Sequence, residues 1–203
     1  VPPLRDVIAD RPKILFVGIN PGETSGRLGH HFARAGNPFW KLLHAAKLTP
    51  VVLRPDEDQR LAEHGYALTN LCARVTRTAA ELTRAELARG NKILREKIRA
   101  MQPGVVALVG LTMYPPIFGR SAGGPGAKAE RLEDVPVFVV PNPSGLNASF
   151  PSFEAKLVWF EALARYAKQR RKARRAGPRR RRAAGASRCH PAGAAAASRS
   201  RAP

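Results

Sequence analysis

The chain has 203 residues, 44% of them apolar, enough for one domain with a buried core plus an appendage rather than two full domains. The formal net charge is +20 and it is uneven: residues 168–203 hold 13 Lys or Arg and no carboxylate, while the body, with 22 basic and 15 acidic residues, still stands at +7. Two cysteines, Cys72 and Cys189, are too few for a disulfide framework or a four-cysteine iron–sulfur cluster, and the apolar runs are too short to span a bilayer. A body that stays basic without its tail fits nucleic acid, where released counterions drive association. The bland alternative for the tail is solubility, or a GC-rich genome that favours Arg and Ala. No secretory leader is legible, and the thiol content fits a reducing cytoplasm.

In chain order, residues 14–19 (Ile-Leu-Phe-Val-Gly-Ile) read as a buried strand ending in a Gly/Pro turn. Residues 37–47 read as a helix with Phe39, Trp40 and Leu43 on neighbouring turns. Pro55 opens a second helix, and Asp56 and Glu57 suit its positive end. Residues 66–71 form a short strand. Thr83-Arg-Ala-Glu86 is a capping box flanked by Leu82 and Leu87, so a helix starts there and runs to about Gln102, where Pro103 and Gly104 stop it. Residues 105–110 form another buried strand, followed by a short helix or turn. Residues 119–127 are a Gly-rich loop, and 135–140 the last strand. The final helix carries Phe153, Leu157, Phe160 and Ala164 on one face. The segment 168–203 lacks an apolar period and reads as a basic, disordered tail behind a domain at 1–167. There are no internal repeats.

Apolar strands alternating with helices predict an α/β fold: a three-layer α/β/α sandwich around a mostly parallel central sheet. Such sheets bind ligands at the carboxyl ends of their strands. Two loops, 18–29 and 142–148, leave that end if the strands are parallel. In Gly18-Ile19-Asn20-Pro21-Gly22, small residues let backbone approach a flat ligand, and Asn20 both donates and accepts hydrogen bonds. Asn20 holds a water or reads a base edge, or it only shapes the turn. In Asn142-Pro-Ser144-Gly145-Leu146-Asn147, an exposed Leu beside Gly suits a wedge that fills the gap left by a flipped base; alternatively the Leu packs inward.

Gly-Ile-Asn-Pro-Gly, Phe32, Asn37-Pro-Phe-Trp40-Lys41 and Asn142-Pro-Ser-Gly-Leu146 together, in this order and spacing along about residues 13–167, resemble the mismatch-specific uracil/thymine DNA glycosylases of the uracil-DNA glycosylase superfamily. The resemblance implies no metal and no cofactor, with DNA as partner, mismatched duplex above all and single strands as well. It implies that Asn20 positions the attacking water and that Phe32 stacks on the flipped base, unless Phe32 is a core aromatic. Backbone near Ile19 and Phe32 would read the base edge. Ser25, Asn70, Asn142 and Ser144 would line the substrate pocket, and Gly145, Leu146 and Asn147 would enter the duplex. The implied protein is a monomer in a bacterial cytoplasm, associated with the nucleoid.

This sequence departs from the family where many bacterial members carry an Arg two residues after the Leu: here Asn147 and Ala148 follow Leu146. Asn70 stands where some relatives carry Lys, and Glu23 where relatives with a carboxylate base keep an apolar residue. Asp58 is a candidate catalytic carboxylate, whereas Asp56 reads as helix N-terminal stabilisation. The five histidines, at 30, 31, 44, 64 and 190, lack metal-ligand spacing; His30 and His31, with Arg27, Lys41 and Arg74, are candidate phosphate contacts. With no amine nucleophile in the motifs, the enzyme would leave an abasic site uncut. Two alternatives remain at this level. One is a basic module that recognises a base without cleaving it; the other is an α/β enzyme of free nucleotides.

Overall fold

The computed structural model describes residues 3–144 and 148–176. Five strands form one sheet: β1 (Ile14–Gly18), β2 (Tyr66–Asn70), β3 (Val106–Val109), β4 (Gly126–Leu132) and β5 (Val135–Val140), in the order β2-β1-β3-β5-β4. β1 pairs in parallel with β2 and β3, β3 pairs in parallel with β5, and only β4 runs antiparallel. The central strands are continuous apolar runs because both of their faces are covered.

Alternation along each strand divides the core in two. Ile14, Phe16, Leu68, Ala107, Val109, Phe138 and Val140 pack on one face with α2 (Phe39–Ala45) and α5 (Phe153–Ala176). Leu15, Val17, Ala67, Val106, Leu108, Val137 and Val139 pack on the other with α3 (Arg84–Met101) and α4 (Tyr114–Phe118). Three layers result, as the alternating pattern predicts. Each side chain on β1 is buried, so shifting the strand by one residue would send the whole set to the wrong layer.

The capping box at Thr83 forms as read. Thr83 Oγ1 accepts the Glu86 amide at 3.2 Å, and Glu86 Oε2 accepts the Thr83 amide at 2.8 Å. Leu82 and Leu87 both join the second core layer. Other segments differ from expectation. The helix expected at 37–47 is only Phe39–Ala45: Asn37 Oδ1 accepts the Phe39 amide at 3.0 Å, which leaves Asn37 outside the helix, and Lys47 at φ 58 lies past its end. Pro55–His64 winds as a 3-10 helix rather than an α-helix and buries only Asp58 and Leu61. The Gly-rich loop gives way at Gly126 to β4, an edge strand whose Ala, Lys, Glu and Arg side chains carry no strand signal. α5 continues through Ala176, so the expected boundary at residue 167 falls inside a helix. The rest of the expected tail, 177–203, lies outside the described residues, as do Gly145, Leu146 and Asn147.

Candidate active site

The parallel strands bring the 18–22 motif and the described part of the second motif, Asn142 to Ser144, to one end of the sheet. A cleft of about 610 Å³ opens there, a size usual for a small-ligand pocket. Its lining includes Gly18, Asn70, Val109 and Asn142, from the carboxyl ends of four strands. Ile19, Asn20, Ser25, Phe32, Asn70, Asn142 and Ser144, all expected from sequence, line this one cleft.

The first motif is an extension of the sheet. Beyond the last residues of β1 and β2, the Gly18 and Ile19 carbonyls accept the Leu71 and Cys72 amides, each at 2.8 Å, and Pro21 O accepts the Thr76 amide at 3.2 Å. Gly18 lets Asn70 approach closely: a Cβ there would lie 2.5 Å from Asn70 Oδ1 and would push that side chain aside. The pairing places Asn20 against the 71–82 segment. Asn20 Nδ2 donates to Arg74 O at 2.9 Å and to Thr76 Oγ1 at 2.6 Å, with a longer contact to Pro21 O at 3.2 Å. Thr76 Oγ1 spends its own proton on Thr78 O at 2.8 Å, so toward Asn20 it acts as acceptor. Two acceptors therefore fix which end of the Asn20 amide is nitrogen. Oδ1 is left as its hydrogen-bonding atom for a ligand or water.

Phe32 sits at φ 51, the left-handed region that a bulky residue adopts at a cost of about 1–3 kcal/mol. Its neighbours hold it there. The His31 amide donates to Asp58 Oδ2 at 3.0 Å, Trp40 Nε1 donates to His31 O at 3.2 Å, and the Ala33 amide donates to Ser25 Oγ at 3.1 Å. The Phe32 ring stacks on Phe39, with centroids 3.9 Å apart and planes at 21°. Phe39 is fully buried and meets Phe16, Trp40 and Phe160 edge-on. Phe32 is thus partly core and partly cleft wall. Across the cleft, Asn142 Oδ1 accepts the Ser144 amide at 2.9 Å and turns the chain as it leaves β5.

Several other expected residues are engaged within the fold. Asp58 does not line the cleft: it is 2% exposed, accepts the His31 amide, and lies 3.5 Å from His30 Nδ1. It braces the turn that carries Phe32. Arg74 is committed to Glu86, Nε to Oε1 at 2.6 Å, and to the Glu81 carbonyl. That hydrogen bond, with two more from Thr83, holds the Glu86 carboxyl down to about 2. Arg74 therefore anchors the backbone carbonyl that grips Asn20. His31 is buried, with Nε2 3.0 Å from the Arg5 carbonyl; burial pushes its imidazole below the ordinary range, so it is neutral at pH 7. The Ile19 carbonyl accepts the Cys72 amide at 2.8 Å, which fixes the backbone of Ile19 at the edge of the cleft. The Glu23 carboxylate does line the cleft, at the first turn of α1 (Glu23–Leu28).

Sequence reasoning missed Thr76, Arg77, Thr78 and Ala79, all of which line the cleft. The available signal was length: the connection at 71–82 is about twice the usual 4–6 residues. Among the described residues no group of three or more His, Cys, Asp or Glu comes together as a metal site, and no helix is long and apolar enough to cross a membrane.

A family model, the uracil DNA glycosylase superfamily, matches residues 5–164. The chain belongs to the uracil DNA glycosylase superfamily. Superfamily members are DNA glycosylases, hydrolases that act on DNA in its repair, and the five-stranded α/β architecture is that of the family. The match takes in both cleft motifs and the 71–82 connection, and it stops inside α5.

Proposed function

We propose that this superfamily member flips uracil, above all uracil mispaired with guanine, out of DNA and hydrolyses its N-glycosidic bond. Extrusion is required because the sugar C1′ is not accessible in a stacked duplex. The base enters the cleft and stacks on the Phe32 face turned away from Phe39. Asn20 Oδ1 accepts a hydrogen bond from a water, which turns the water's lone pair toward C1′. The C1′–N1 bond breaks, its electron pair leaves with the base, and the water oxygen bonds to C1′. The water's surplus proton goes to solvent or to the departing base. Asn20 is neutral and takes no proton, so the acceleration comes from aim and from hydrogen bonds to the base anion. Asn142 and Ser144 border the pocket and hold the flanking phosphate, while Gly145, Leu146 and Asn147 fill the vacated stack. A mispaired base costs less to extrude, which favours mismatches as substrates. The protein works as a monofunctional, cytoplasmic monomer and leaves an abasic site.

The observation that carries this reading is Asn20 in the cleft wall with its nitrogen held by Arg74 O and Thr76 Oγ1. The test is incubation with a uracil-containing oligonucleotide paired with each opposite base, followed by alkali. Breaks at uracil that disappear in Asn20→Ala while DNA binding persists are expected. Binding without breaks would instead mark a module that recognises the base and leaves it attached.

A further inference from the structure

A cationic surface lies at the other end of the sheet. The cleft there, about 590 Å³, is formed by residues that precede β3 and open β5, such as Gly104 and Val135. These are the amino ends of the strands, whereas the candidate active site is at their carboxyl ends. Arg99, Arg131, Arg170 and Arg174 line it. Two carboxylates share it, but Glu133 is already divided between Arg95 at 3.0 Å and Arg99 at 3.4 Å, leaving Asp134 as the other acid. Arg170 and Arg174 come from the last turns of α5, where Arg171 and Lys172 stand exposed beside them. None of these four side chains has a carboxylate within ion-pair distance among the described residues. The sequence holds no acid beyond Glu161 to neutralise them. Burial first, and then the Arg171 charge, push the nearby Lys13 ammonium below its ordinary range.

We propose that this pole binds the phosphate backbone of a second DNA segment while the first occupies the active-site cleft. The two clefts are separated by the length of the strands, about 15 Å or more at roughly 3.3 Å per residue. A duplex seated at one pole cannot bend round to the other, since DNA is stiff over about 150 base pairs. The second contact therefore belongs to a separate segment, and it reads charge rather than sequence. Its consequence is transfer between strands of DNA without full release into solvent. The surface does not depend on the identity of the excised base.

The experiment titrates full-length protein with an undamaged duplex of about 12 base pairs, roughly 40 Å long at about 3.4 Å per step. Wild type is expected to take two duplexes per protomer at low salt. A quadruple variant, Arg170→Gln, Arg171→Gln, Lys172→Gln and Arg174→Gln, keeps good helix formers and is expected to take one. In wild type the second binding step should carry a log–log salt slope of about 3–4 in magnitude, at about 0.9 for each of the four cations, and in the variant that step should be lost. Single-turnover excision from a short uracil duplex should be unchanged in the variant, which also reports that it is folded. One duplex per protomer in wild type, or two in the variant, would overturn the proposal. So would a second site that takes heparin but no duplex. Failure of excision in both proteins, with two-to-one binding intact, would count against the catalytic reading alone.

Discussion

Thr76→Val tests the central geometry with little change in shape. The substitution removes one acceptor from Asn20 Nδ2, the 2.6 Å contact, and one donor from Thr78 O, the 2.8 Å contact. Arg74 O still holds Asn20 at 2.9 Å, so the amide is loosened rather than released. A flip of the amide would set Oδ1 against the Arg74 carbonyl, two acceptors facing each other, so the native orientation remains the better one. Losing one neutral hydrogen bond costs about 0.5–1.5 kcal/mol. Appearing wholly in the barrier, at about 1.4 kcal/mol per factor of ten, that is a drop of roughly 2- to 13-fold in the chemical step. The assay is single-turnover excision at saturating protein on a uracil–guanine duplex, with DNA affinity measured separately. The rate should fall within that range, affinity should hold, and Thr76→Ser should restore most of the rate. A Thr76→Val protein with wild-type rate, or one that loses affinity while keeping its rate, would refute the positioning of Asn20 by this loop.

Other outcomes follow from the same structure. Asp58→Asn keeps an acceptor for the His31 amide and should retain most activity, whereas Asp58→Ala should lose about 1–3 kcal/mol of stability through an unpaired buried amide; comparing chemical denaturation with turnover separates this from a catalytic carboxylate, for which both variants would be inactive. Because burial lowers the His31 pKa, the unfolded chain takes up its proton first as pH falls; stability contributed by neutral His31 is complete above about 6.5 and declines below it toward the lower folded value. Thermal melts from pH 7.5 to 5.5 should show that decline, and His31→Gln should flatten it. At Gly90 on α3 an added Cβ would lie 2.2 Å from the Leu71 carbonyl, so Gly90→Ala should cost about 1–3 kcal/mol despite alanine's better helix propensity, read as a lowered melting temperature.

The three central strands were legible because burial on both faces leaves continuous runs such as 14–18 and 106–109, which periodicity detects. β4 was not, because an edge strand facing solvent on one side can be built from Lys128, Glu130 and Arg131, residues that would suit a loop equally well. The end of α5 was hidden by its own composition: Arg, Lys, Ala and Gln look like a disordered tail yet are good helix formers once a packed helix leads into them. Within the cleft, Asn20 and Phe32 stood out because their motifs resemble a family. Thr76 did not, since a threonine six residues past a strand has no distinguishing chemistry until two strand ends are known to run on side by side. Asp58 misled in the other direction. Nearness in sequence to suggestive residues says nothing of which side of a wall a carboxylate ends on, and the 3-10 segment turns it inward.

The prolongation of the β1–β2 pairing through Leu71 and Cys72 has a dynamic consequence. These amides exchange with deuterated solvent only when β2, at the edge of the sheet, parts from β1, so their protection reports the opening of that pair. The wall that carries Asn20 is then as hard to deform as the β1–β2 pair it prolongs. Whatever accommodation an arriving nucleotide demands must come from the DNA and from the opposite rim.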